Sequence, residues 1–315
     1  MHAVRFRKRH FPITGFALTT GTDDALNDIF PGDSAMSAAM RGHDWASTPL
    51  GPAAHWPEAL KVPLRMMLMS RFEMWLGWGP DLAFFYNDAY VPTLGVKHPQ
   101  ALGQPMREVW AEVFDAVGGR IDSVTRDGAA TWDKALMLIL ERSGYPEETY
   151  HTFSYSPLIS GPGRVGGLMC VVTEETERVL SERRLDTLRA LATSLLTVRT
   201  RQDVLKGVRA ALQTNKKDFP FSVVRLFDGP DVQDSADDED VERTIWPIDR
   251  IRGGKSVQVP LAGLIVDPPK GAWDVPPREA MIVPITKAGQ AEPSGALILG
   301  LNPYRSVDAD SLDFA

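Results

Sequence analysis

The stretch that most constrains this chain is Phe72 to Tyr86. Phe72, Met74, Leu76 and Trp78 alternate with Glu73, Trp75 and Gly77, the period of a half-buried strand. Gly79-Pro80-Asp81 supplies turn chemistry, and residues 82–86 supply the partner strand. Asn87 then stands where a helix cap belongs, ahead of Asp88, and Pro92 holds that helix to about one turn. A tight hairpin followed at once by a short helix commits this region to an antiparallel sheet with helices laid over it.

Upstream, Leu60, Leu64, Met67 and Leu68 fall at helical spacing within 57–70, an amphipathic helix to cover that sheet, with Pro63 as a local disturbance. Downstream, Met106, Trp110, Val113, Val117, Ile121 and Val124 recur at threes and fours. That is a helical face whose expected break is Gly118-Gly119 and whose stop is Gly128. Strand-like runs follow at 131–140, 147–155 and 164–173, joined by Ser143-Gly144-Tyr145-Pro146 and Ser160-Gly161-Pro162-Gly163. Two strands, short helices and three strands make a five-stranded antiparallel sheet with helices on one face. The pattern then changes. Leu185, Leu188, Ala192 and Leu195 form a short heptad stripe with charged flanks, and Glu174 stands four residues before Arg178, the spacing of a helical ion pair. A second amphipathic helix occupies 202–212. Residues 221–227, 256–260, 280–285 and 296–301 read as strands of a second α+β unit, and the acidic segment 231–242 as a solvated loop.

At 315 residues, with 43% hydrophobic and 24% charged residues, the chain is long enough for two domains with separate cores. Residues 1–44 lack sustained periodicity and read as a disordered tail. A net charge of −7 without a basic stripe argues against a nucleic-acid surface. No stretch approaches the ~20 apolar residues of a membrane helix. Phe16-Ala17-Leu18, behind Arg5, Arg7, Lys8 and Arg9, is too short for a signal core, so a cytoplasmic protein is expected. Cys170 is the single cysteine, which excludes an intrachain disulfide and a Cys-rich zinc site; in its apolar run it reads as a small buried hydrophobe.

Met74-Trp75-Leu76-Gly77-Trp78-Gly79-Pro80-Asp81-Leu82 and Tyr86-Asn87-Asp88-Ala89-Tyr90 resemble the first hairpin and helix of a PAS domain. The likeness continues through Ala101-Leu102-Gly103-Gln104-Pro105, Tyr145-Pro146-Glu147-Glu148-Thr149-Tyr150 and Phe153-Ser154-Tyr155-Ser156-Pro157, element by element over roughly 44–185. Glu174-Glu175-Thr176-Glu177-Arg178 resembles the Asp-Ile-Thr-Glu-Arg exit by which that family's last strand joins a signalling helix; the acid here is Glu174, one methylene longer, and Thr176 carries over directly. From about Leu188 on, Phe219-Pro220-Phe221, Trp246-Pro247-Ile248, Pro276-Pro277-Arg278-Glu279-Ala280 and Gly295-Ala296-Leu297-Ile298-Leu299-Gly300-Leu301-Asn302-Pro303 look like a GAF domain. The order resembles the N-terminal PAS–GAF sensory region of a bacterial (hybrid) sensor histidine kinase. The resemblance implies an α+β chain with a PAS domain at 45–176, a linker helix at 177–200, and a GAF-like domain at 188–315 that stops before its last helix. The phosphoacceptor His-Glu helix and the ATP-binding boxes of the kinase core are not read in the sequence, so no phosphorylation by this chain is expected.

Gly161-Pro162-Gly163-Arg164-Val165-Gly166 fits G-x-G-x-x-G, but it lies between two strands and opens no helix, so a dinucleotide site lacks its context. Gly253-Gly254-Lys255-Ser256 resembles the end of a phosphate loop whose first glycine is Asp249 here; a turn before a strand explains it better. The six histidines show no metal-ligand spacing. In the light of the resemblance, none sits where haem-binding PAS domains place their axial ligand. No cysteine stands at the flavin-adduct position or in the GAF-like part for a bilin. Haem, flavin adduct and bilin are therefore not supported, and the cofactor is unknown. Asp133 and Glu147, on successive strands, read as surface carboxylates rather than a catalytic pair.

Trp75, Trp78, Phe85, Asn87, Trp110, Phe114, Trp132 and Tyr155 are the candidate lining of a small-molecule pocket. The same rings serve equally as core, and Asn87 as a cap. Two readings stay open. In one, the chain is the sensory region of a two-component histidine kinase. Its PAS core senses a small ligand or mediates dimerisation, and Glu174 and Thr176 relay the change to the linker helix of a homodimer. In the other it is a ligand-free dimerisation or docking scaffold. Neither involves nucleic acid or membrane.

Overall fold

The structure, a computed structural model, describes residues 22–196, 198–227, 233–236, 241, 243–286 and 292–306. It opens with two helices, α1 (Thr22–Ile29) and α2 (Ala35–Gly42), where the sequence reading puts a disordered tail. The reading fails over 22–44 because this segment buries single anchors and carries no long period. Phe30, Met36 and Met40 are buried, the Trp45 indole donates to the Met40 carbonyl at 2.7 Å, and Ser34 caps α2 by accepting from the Ser37 amide. Residues 1–21 lie outside the described residues.

Helix α3 (Glu58–Met69) buries Leu60, Leu64, Met67 and Leu68, as their spacing predicts. Strand β1 (Glu73–Trp78) pairs antiparallel with β2 (Ala83–Tyr86), Trp75 opposite Tyr86 and Trp78 opposite Ala83. The half-buried reading of β1 is corrected: Met74 through Trp78 are all buried, and Phe72 is exposed ahead of the strand. β1 is an inner strand covered on both faces, which alternation alone does not distinguish. Short helices α4 (Val91–Leu94) and α5 (Met106–Val109) lead to α6 (Phe114–Asp127). The break in this helical face falls at Trp110, at φ −118° and ψ 40°, while Gly118 and Gly119 stay helical.

Strands β3 (Thr131–Leu140), β4 (Glu147–Gly161) and β5 (Arg164–Glu174) complete a five-stranded antiparallel sheet in the order β2-β1-β5-β4-β3. The 161–166 glycine motif forms the β4–β5 turn and the start of β5. Beside it, a Cβ on Gly167 would stand 2.2 Å from the Gly77 carbonyl oxygen, so only glycine lets β5 approach β1 there.

Helix α7 (Thr176–Leu195) leaves β5, and α8 (Arg201–Gln213) opens with a capping box between Thr200 and Asp203. A second five-stranded sheet holds β6 (Ser222–Leu226), β7 (Gln233–Ala236), β8 (Val257–Pro260), β9 (Glu279–Ile285) and β10 (Gly295–Gly300), in the order β7-β6-β10-β9-β8. Leu212, Phe219 and Leu299 form one core with Leu191 and Val208 from the two helices; a second holds Phe221, Trp246, Ile282 and Ile298. The chain is thus α+β, with two antiparallel sheets. β7 lies in the acidic segment read as a loop. It is an edge strand whose pairing to β6, Ala236 opposite Val223, is made by backbone, so its acidic composition does not oppose it. The chain falls into two compact units. One takes the described residues up to Val109 with Arg120–Thr131 and Tyr155–Val171; the other takes Trp110–Gly119, Trp132–Ser154 and the described residues from Val172.

Gly167→Ala should lower stability in urea denaturation by about 1–3 kcal/mol, as overpacking does. Gly161→Ala, where an added Cβ meets nothing within 4 Å, should stay within about 0.5 kcal/mol of the parent.

Candidate functional site

Of the rings expected to line a pocket, Trp75, Phe85 and Tyr155 are packed against other rings. Trp75 lies on Phe84 at 5.1 Å between centroids and meets Tyr155 edge-on at 5.5 Å. Phe85 contacts Trp45 at 5.0 Å and Trp56 at 5.6 Å. Trp78 covers Gly166 and Gly167. Trp110 is buried at the turn before α6, and Phe114 is partly buried at its start. Trp132 is corrected: it stands 65% exposed near the start of β3 and belongs to no core. The period-2 reading of β3 could not show which face meets solvent.

Asn87 is buried and its carboxamide is fully used. Oδ1 accepts from the Met74 and Tyr90 amides at 3.1 and 3.2 Å, and Nδ2 donates to the Met67 and Phe72 carbonyls at 3.1 and 2.8 Å. Two donors and two lone pairs are thereby filled, so Asn87 stitches α3 and β1 to the turn after β2 and has no capacity left for a ligand. Burial pushes the Cys170 thiol well above its ordinary value, which leaves it an inert small hydrophobe.

Two clefts open elsewhere, and none of these rings lines either. One, of about 250 Å³, is lined by Lys97, Gln100, Ala101, Gln104, Glu108 and Val109. The other, of about 720 Å³, lies where β5 passes into α7 and contains Arg142 and residues 173–178, including both relay candidates. Arg142 grips Glu174 with two hydrogen bonds, Nη1 to Oε2 at 2.6 Å and Nη2 to Oε1 at 2.8 Å, and Glu147 through Nε at 3.0 Å. The Thr176 hydroxyl donates to Glu174 at 2.8 Å and accepts from the Tyr150 amide at 3.0 Å. The longer acid therefore reaches Thr176, and Thr176 ties the first turn of α7 to β4. The expected Glu174–Arg178 pair does not form. Glu174 is still in the strand, outside the helical spacing rule, and Arg178 pairs instead with Glu175 and, one turn on, with Glu182 at 2.8 Å. Burial alone would raise the Glu174 carboxyl; the hydrogen bonds and charge of Arg142, with Thr176, hold it below its ordinary range.

A second cluster went unread in the sequence. Glu148 on β4 is completely buried. Its oxygens accept from Arg183 Nη1 at 2.7 Å and Nη2 at 3.2 Å, from the Tyr150 hydroxyl at 2.7 Å and from Asn302 Nδ2 at 2.7 Å. Arg183 also donates through Nε to Asp218 at 3.0 Å, and Asn215 bridges Asp218 and the Thr187 hydroxyl at 2.8 Å each. Burial would raise the Glu148 carboxyl, but Arg183, Tyr150 and Asn302 outweigh it and hold it low. A strand acid and a helical arginine 35 residues apart carry no local signal; their pairing is a tertiary fact.

No protein-family model matches the sequence, and no curated protein matches it. Among solved structures the chain is similar to the PAS domain of a protein from Colwellia psychrerythraea, at 12% identity over 38% of this chain and 98% of that one, with a TM-score of 0.31. It is also similar to a sensory box sensor histidine kinase from Vibrio cholerae, at 15% identity over 37% and 91%, with a TM-score of 0.26. A GAF domain from Pseudomonas syringae pv. tomato is similar at 14% identity over 44% and 83%, with a TM-score of 0.29. At such identities and scores these likenesses say nothing of activity. No helix among the described residues is long and apolar enough to cross a membrane.

His151 makes the junction acid-sensitive. Thr149 spends its hydroxyl proton on the Leu138 carbonyl at 2.9 Å, so it accepts from His151 Nε2, 3.1 Å away, which places a hydrogen on Nε2. Burial pushes the His151 pKa down to about 4, against a weaker opposing pull from Glu174. The unfolded imidazole takes up a proton near its ordinary 6.5, which the folded one refuses until about 4. Folded stability should therefore fall as pH drops through that window, by on the order of 3 kcal/mol in full. Glu148 and Glu174, held low, add their loss below about 4.5. Denaturation midpoints against pH should show both limbs, and His151→Gln should flatten the upper one and leave the lower.

Proposed function

We propose that this chain is the cytoplasmic sensory and regulatory region of a two-component sensor histidine kinase, acting as a homodimer through α7 and carrying no catalytic step of its own. The observation that carries this reading is the exit from the first sheet. Glu174 and Thr176, the residues matched to the PAS exit, are bonded to Arg142 and to the Tyr150 amide at the start of a 20-residue helix. Along that helix Leu185, Leu188, Ala192 and Leu195 all face solvent, an apolar stripe at heptad spacing that a second copy would cover. A change in the sheet that moves Glu174 must move the first turn of the helix, and with it the stripe.

A second reading, the ligand-free scaffold, is favoured by the ring-on-ring packing of Trp75, Phe84 and Tyr155 and of Phe85, Trp45 and Trp56. Rings already in contact leave a ligand little to displace except one another. Native mass spectrometry of the purified chain separates the two: a retained small molecule supports sensing by the core, and a ligand-free dimer supports the scaffold.

Sedimentation equilibrium tests what the readings share. The parent chain is expected to be dimeric at micromolar concentration, and Leu185→Glu/Leu188→Glu to weaken the dimer at least tenfold with unchanged secondary structure. A parent chain that stays monomeric at 100 µM would overturn the proposal.

A further inference from the structure

Helix α7 is amphipathic in the unusual sense. Its inward positions Arg183 and Thr187 are polar and lie four residues apart on one face, below the buried Leu180. Its outward positions include Leu185, 46% exposed, and Leu188, 50% exposed. Apolar burial alone would turn such a helix the other way over this stretch, so something polar fixes its rotation. Both polar side chains on the inward face are also engaged outside the helix. Arg183 meets Glu148 on β4 and Asp218 after α8; Thr187 meets Asn215. Glu148 meets Asn302 beyond β10, and its own amide donates to the Tyr304 carbonyl at 2.9 Å. Tyr150 also accepts from Lys217 Nζ at 2.8 Å, so two cations and two carboxylates balance.

We propose that Glu148, Arg183 and Asp218 form an ion-pair latch that seats α7 with its polar face inward and thereby holds the leucine stripe outward. The latch is distinct from the Glu174–Thr176 exit: it grips the helix two turns further on, and from both β4 and the α8–β6 connection. As regulation of the dimerising helix it rests on the function proposed above; as a device that seats α7 it stands without the dimer. Any signal that loosens Glu148 frees the rotation of α7 even where the exit contacts persist.

Hydrogen exchange of the full chain, read by mass spectrometry, tests this peptide by peptide. Arg183→Leu leaves Glu148 and Asp218 without their cation and should speed exchange across 176–195 at least tenfold, with the β1–β2 peptides 73–86 unchanged. Tyr150→Phe removes one donor from Glu148 and should give the same pattern at about threefold; it decides alone if Arg183→Leu does not fold. Unchanged exchange over 176–195, or acceleration spread evenly into 73–86, would overturn the latch. Sedimentation of the same samples keeps the two proposals apart. A monomeric parent with latch-dependent exchange sinks the dimer and leaves the latch, and a stable dimer whose α7 exchange ignores Arg183 does the reverse.

Discussion

The structure around α7 depends on a carboxylate that water never reaches. Burying an ionised glutamate is tolerable only where an opposite charge and hydrogen bonds replace its hydration, and Glu148 has Arg183, Tyr150 and Asn302 in that role. Such a pair adds little net stability over an apolar packing of the same shape. Breaking it by removing one partner is another matter, at about 3–5 kcal/mol, because the remaining charge stays buried. The asymmetry is what makes the cluster directional. It does not hold the chain folded so much as forbid the neighbouring positions of α7, and a helix that buries Arg183 has one rotation that satisfies it.

That constraint explains why the helix can afford an exposed leucine stripe at all. Leu180 and Leu191 turn towards the protein, but between them the inward positions are Arg183 and Thr187. On the proposed reading, with the rotation fixed by polar bonds, the leucine stripe is left for a second copy to cover. The helix is then held at two places along its length, at Thr176 in its first turn and at Arg183 two turns later. The first hold bonds both Glu174 at the end of β5 and the Tyr150 amide on β4, and the second bonds Glu148 on β4, so a change in the sheet reaches the helix through two neighbouring strands.

Much of this was legible in the sequence and some of it could not be. The hairpin at 72–86, the cap at Asn87 and the strands β3, β4 and β5 are legible because each is set by local period or turn chemistry, whereas the exit at Glu174 and Thr176 is legible only through the resemblance to the PAS family. Helices α1 and α2 were missed because their anchors, Phe30, Met36 and Met40, are too few to make a period. Trp132 was misplaced because a strand shows which residues share a face but not which face meets solvent. The Glu174–Arg178 pair does not form because helical spacing does not carry across the boundary between β5 and α7. Glu148 and Arg183 were invisible for a deeper reason: a buried charge looks like a surface charge until its partner, far along the chain, is brought to it.

The aromatic core sets a limit on how a signal could enter. Each ring pair is worth about 0.5–1.5 kcal/mol beyond its area, and Phe85, Trp45 and Trp56 contact one another in all three combinations. A ligand that wedges among them must restore those contacts before it gains anything from binding, and it can shift the helix only by its differential affinity for the two states. The junction at Arg142 is different. It is open to solvent as a cleft of about 720 Å³, its groups are charged, and a single residue there bonds both Glu147 at the start of β4 and Glu174 at the end of β5. A perturbation that competes for Arg142 needs no room in the core and acts directly on the residue that bonds Thr176. On the proposed reading, the entry point for regulation is therefore the polar exit of the sheet, where the groups are charged and open to solvent.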